Sequence, residues 1–161
     1  MGERNKAYAT YGGAVFVSFG LLAIGLSTLI GNAINLTTDQ FLALWGETIV
    51  ILILGLVILI SALLVGSSSD FRRIAGGMIG VVAALIGAIL TPALVNNTTG
   101  LISQVGVSGV ILQGGGSAQL TIAYWMLFIS SFVVMLVGFP LSMIGSFQVI
   151  QEKDNQNLDQ P

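Results

Sequence analysis

Apolar residues in this chain fall into four long blocks separated by short polar stretches, and the blocks are too long for an ordinary buried core helix. About 20 residues in a helix cross about 30 Å of hydrocarbon. The pattern predicts four membrane-spanning helices over residues 12–30, 47–65, 74–95 and 120–147. Each helix satisfies its own backbone, as lipid requires. The second block, TIVILILGLVILISALLV, is bulky, with only Gly55, Ser61 and Ala62 as small residues. Such a surface suits lipid, so this helix is expected on the periphery of a four-helix bundle.

The third block has the opposite character. Gly76, Gly80, Ala84 and Ala88 recur every four residues, with Ala83 and Gly87 beside them. Residues four apart share a helix face, so the segment carries a stripe with almost no side-chain bulk. Membrane helices approach closely along such stripes. This predicts a packing surface and places the helix at the centre of the bundle. Pro92 is expected to kink the helix or close its last turn, and Pro140 to kink the fourth helix.

The stretches between blocks are short except one. Residues 31–40 form a polar connection, and GSSSDFRR at 66–73 reads as a tight turn. Residues 96–119 form a long uncharged loop whose middle, 101–113, resembles a short β-hairpin with its Val, Ile and Gly pattern. A water-facing loop ordinarily carries charge. This one instead presents Val105, Val107, Val110, Ile111 and Leu112, an apolar patch of the kind that marks an interface. The remaining residues, QEKDNQNLDQP at 151–161, are polar without apolar periodicity and are expected to be a disordered tail behind a single domain at 1–150.

Composition strengthens the membrane reading. Of 161 residues, 55% are hydrophobic and 7% charged, against roughly 25% charged in a soluble domain. No charged residue occurs from Ile74 through Gln151. The net charge of −2 comes from scattered groups, which gives no electrostatic footprint for nucleic acid. The charged start MGERNK followed by apolar residues is like a signal peptide, but the uncharged run 7–38 exceeds a leader core of about 7–15 residues and is read as a retained span.

The chain contains no cysteine and no histidine. Thiolate chemistry, the usual haem and copper ligand and the usual neutral-pH acid–base group are therefore missing together. The methionines have no partner ligands and read as packing residues, so no cofactor, metal site or catalytic residue is assigned. Within the spans the nearest thing to a buried ionisable group is Glu47. It reads as a carboxylate at a helix start rather than a cation-attracting pair with Asp39.

Four spans put both termini and the 66–73 turn on one side, together with all five basic residues, Arg4, Lys6, Arg72, Arg73 and Lys153. The positive-inside rule makes that side cytoplasmic. The sequons at Asn35, Asn96 and Asn97 then fall on the opposite side, where they are candidate glycosylation sites. These features predict a non-catalytic accessory subunit of a larger membrane protein complex in the cell membrane. Its partners are the lipid bilayer and other integral membrane subunits, or further copies of itself. A small oligomeric channel or transporter is the alternative reading, and a junction or envelope scaffold a third.

Overall fold

Four helical runs follow the four apolar blocks but overrun them at nearly every end. The computed structural model describes residues 2–33, 36–104 and 118–158. Helix α1 is Gly2–Ala33, α2 is Thr38–Val65 and α3 is Asp70–Gln104. Helix α4 (Ala118–Val133), a π segment (Val134–Gly138) and α5 (Phe139–Leu158) then follow one another without a break. Four stretches are long and apolar enough to cross a membrane: Glu3–Ile30, Thr38–Val65, Asp70–Thr98 and Trp125–Gln148. No strand occurs among the described residues.

Local chemistry explains the boundaries. Helix α2 starts at Thr38 because Thr37 and Gln40 form a capping box, Gln40 N–H donating to the Thr37 hydroxyl at 3.4 Å and Thr37 N–H to Gln40 Oε1 at 3.2 Å. It closes at Gly66, whose N–H reaches the carbonyls of Ala62 and Leu64. The turn before α3 is short, as expected.

Pro92 neither ends nor caps α3, which continues to Gln104. The Thr91 hydroxyl donates to the Gly87 carbonyl at 2.7 Å, inside the turn that the proline disturbs. Pro140 is accommodated differently. The helix widens just before it, and Phe139 N–H donates to the Val134 carbonyl five residues back.

Several expectations are thereby corrected. Residues 101–104 belong to α3 rather than to a hairpin, and 105–113 lie outside the described residues. Residues 151–158, expected in a disordered tail, continue α5 as helix. The helical period of the backbone was already under way there, and a polar composition did not stop it.

The helices pack in a ring. Helix α1 packs on α2, α2 on α3, α3 on the α4–α5 rod, and that rod on α1, while the diagonal pairs barely touch. No helix is central, so α3 occupies a corner. Helix α2, expected at the periphery, packs extensively on both α1 and α3. It buries Leu44, Thr48, Ile51, Gly55, Ile58, Ser61, Ala62 and Val65 along one stripe and exposes Ile49, Ile53, Leu56, Ile60 and Leu63 along the other. Bulk on one side did not preclude close packing on the other. The Lys6 stem lies over Gly66, and Asn5 and Ala9 lie against Gly145. The termini and the α2–α3 turn therefore share one end, here the terminal end; the opposite one is the far end.

Candidate functional site in the helix-packing faces

The small residues of α3 face the interior and its neighbours. Gly76, Gly80, Ala83, Ala84, Gly87 and Ala88 are all buried. A Cβ on Gly76 would lie 2.6 Å from Leu64 Cβ and 2.9 Å from the Ser61 carbonyl of α2. On Gly77 it would meet the Ser146 carbonyl of α5 at 2.7 Å, and on Gly80 the hydroxyls of Ser146 and Ser61 together. On Gly87 it would strike the ring of Phe16 in α1, 2.6 Å from Cε1. The stripe therefore contacts α2, α5 and one side chain of α1, all within this chain.

Equally close approaches involve glycines that periodicity on α3 could not reveal. Gly20 sits against the Leu52 backbone, and Gly55 against the backbone of Phe16 and Val17. Gly12 meets Ser142, Gly138 meets Val15, and Gly145 meets the Asn5 carbonyl and the Ala9 backbone. The signal was present in the spacing, since Gly13 and Gly20 lie on one face two turns apart, as do Gly138 and Gly145.

Phe16 closes the middle of the bundle. Its side chain is fully buried, with its backbone against Gly55 and its ring against Gly87 on the opposite corner. Ile51, Ile58, Ala84, Leu94 and Val134 complete the same core. At mid-height the interior is filled by hydrocarbon.

Most buried hydroxyls are occupied by their own helices. Thr48 donates to the Trp45 carbonyl, Ser61 to Ile58, Thr91 to Gly87, Thr98 to Leu94, Ser131 to Phe128 and Ser142 to Gly138, at 2.6–2.8 Å. These groups form no polar path. Asn5, Ser27 and Ser146 differ: each is buried, and no hydrogen bond reaches the side-chain atoms Asn5 Oδ1 and Nδ2, Ser27 Oγ or Ser146 Oγ.

At the far end Glu47 and Asn97 join α2 to α3. Asn97 Nδ2 donates to Glu47 Oε1 at 2.5 Å, while Glu47 Oε2 is buried without a partner. Asp39 stays exposed in the first turn of α2. Asn96 and Asn97, expected in a loop, are helical residues, and the hydroxyl of Thr98 is fully buried on the Leu94 carbonyl. Asn35 and the loop residues Val105, Val107, Val110, Ile111 and Leu112 lie outside the described residues. Among the described residues no three His, Cys, Asp or Glu side chains come together as a metal site would require.

The fourth of the long apolar helices is the least covered. In its apolar window 28% of residues are buried, against 44%, 39% and 44% in the first three. Near α5 the rod packs well on α1 and α3, but α4 itself touches both sparingly. Two apolar grooves result. One of about 500 Å³ lies between α1 and the π segment, lined by Val15, Phe19, Leu22, Val134 and Val137. The other, about 470 Å³, lies between α3 and α4, lined by Pro92, Val95, Phe128, Phe132 and Met135. Between them runs an exposed ridge of Trp125, Ile129, Phe132 and Leu136. Edge-to-face contacts stiffen it, with Trp125–Phe128 centroids at 5.7 Å and Phe128–Phe132 at 5.0 Å.

The chain matches no family model, no curated protein and no solved structure. Its site is therefore read from its own chemistry.

Proposed function

We propose that this protein is a non-catalytic subunit of a membrane protein complex and that it receives a helix of an unlike membrane protein along α4. In this reading the terminal end is cytoplasmic, since every basic residue belongs to it. The observation that carries the proposal is the ridge of Trp125, Ile129, Phe132 and Leu136 flanked by a groove on either side. Apolar exposure alone argues for nothing in lipid, because acyl chains are as apolar as leucine. Relief is what matters there. A ridge at helical spacing beside two grooves offers another helix the interdigitation that fixes helix pairs.

The small-residue stripe of α3 does not serve this purpose, because the chain's own helices use it. The filled core around Phe16 counts against conduction through one bundle, so a channel would need its path between copies.

Purification in mild detergent tests the proposal. The intact chain should co-purify with a defined set of unlike membrane proteins, and Phe132→Ala combined with Leu136→Ala should lose that set while keeping helix content and thermal stability. Recovery of a homogeneous self-assembly that conducts ions in vesicles would favour the channel instead.

A further inference from the structure

The rod formed by α4, the π segment and α5 carries a break in its own hydrogen-bond ladder, and the break lies at the groove between α3 and α4. In an α-helix the Met135 carbonyl would receive the N–H of Phe139, but that N–H goes to Val134. The wider π pattern would give Met135 the N–H of residue 140, which is proline and has none. The Leu136 carbonyl loses its α-helical donor to the same proline. Two successive carbonyls are thus left without their helical donors. The flanking hydroxyls do not replace them, since Ser131 donates to Phe128 and Ser142 to Gly138.

Both residues line the groove of about 470 Å³, together with Pro92 and Val95 of α3. Leu136 is exposed and Met135 half-buried. They stand midway along the apolar stretch Trp125–Gln148. Acyl chains supply no donor, and a backbone carbonyl left unserved among them is costly.

We propose that the helix received along α4 carries an asparagine or glutamine whose side-chain amide donates to the Met135 and Leu136 carbonyls in this groove. The inference rests on the reading of α4 as a docking face and adds the chemistry of what docks there. A carboxamide brings two N–H donors to two neighbouring acceptors, whereas an indole brings one. Hydroxyls are a poorer match, because in this chain they return to carbonyls of their own helices, as Thr91, Ser131 and Ser142 do. A lysine or arginine would arrive with a charge that nothing meets, since no residue from Ile74 through Gln151 is charged.

The test uses the full chain, with carbonyl-¹³C methionine, in phosphatidylcholine vesicles with two synthetic membrane-spanning helices. One helix is leucine and alanine throughout; the other has a single central asparagine with a ¹⁵N side-chain amide, at a density too low for it to pair with itself. The asparagine helix should associate with the protein about tenfold more tightly than its apolar counterpart. In solid-state NMR its amide nitrogen should dephase the Met135 carbonyl, identified by loss of that signal in Met135→Leu, and leave the Met78 carbonyl unaffected. Pro140→Ala returns an N–H to the turn and should bring the two helices to equal affinity. Equal affinity for the unaltered protein, association of neither included, overturns the proposal, as does tighter binding of the asparagine helix without dephasing at Met135. The docking reading fails separately, if the intact chain co-purifies with no unlike membrane protein although the asparagine helix binds. Co-purification that depends on Phe132 and Leu136, alongside equal affinities for the two helices, keeps that reading and removes only the amide.

Discussion

Replacing Gly145 with alanine measures how tightly the first and fourth spans are pressed together. The new Cβ would stand 2.6 Å from the Asn5 carbonyl oxygen and 2.9 Å from Ala9 Cα, and closer still to Ala9 N. All three obstacles belong to the backbone of another helix and cannot rotate away. Restoring ordinary contact requires α1 and α5 to part by roughly 1 Å, and overpacking of this kind costs about 1–3 kcal/mol. Alanine returns about 1 kcal/mol through its helix propensity, leaving a net loss of about 0–2 kcal/mol and a deficit of about 1–3 kcal/mol against a helical glycine with open surroundings. Gly25 and Gly46 supply the controls, since a Cβ at either would have nothing within 4 Å. Their alanine variants should be neutral or slightly more stable. Reversible unfolding in mixed detergent and dodecyl sulfate micelles, followed by circular dichroism, gives the three values. If Gly145→Ala matches Gly25→Ala within about 0.5 kcal/mol, the glycine contacts do not set the helix separation.

Other perturbations reach different parts of the structure. Phe16→Ala removes the ring that reaches Gly87 across the bundle and should cost about 3–5 kcal/mol in the same unfolding assay. Gly80→Leu should prevent the bundle from closing, seen as loss of the unfolding transition; unchanged stability would contradict the α3 packing. Asn97→Leu strands the Glu47 carboxylate and should cost about 1–3 kcal/mol, with the Glu47→Leu, Asn97→Leu pair less damaging than Asn97→Leu alone. Because the chain has no native cysteine, single cysteines at Ser68 and Thr37 report orientation through an impermeant maleimide. Ser68 should label from the cytoplasmic side and Thr37 from the other.

The four long apolar helices were legible because uninterrupted apolar blocks of this length have few alternatives to a helix. Their ends were less so. The start of α2 was readable in Thr37-Thr38-Asp39-Gln40, a capping box obscured by the charge of Asp39 and the polar run before it. The extension of α3 beyond Pro92 was not readable, because a proline's effect on a helix depends on whether neighbouring helices hold the segment on both sides of it. The small-residue stripe told where close contact would occur but not with which helix. That choice depends on glycines seven residues apart in α1 and the fourth span, and on the reach of one phenylalanine. The grooves beside α4 had no sequence signal at all. They arise from how α4 stands away from α1 and α3, a property of packing between segments far apart in the chain.

The most direct test of the proposed function is site-specific photocrosslinking in native membranes. A benzoylphenylalanine in place of Phe132, on the α4 ridge, is compared with one in place of Ile53, on the exposed side of α2. A discrete crosslinked product with an unlike membrane protein is expected from position 132 and lipid adducts alone from position 53. Equal products from both positions, or lipid adducts alone from position 132, would contradict it.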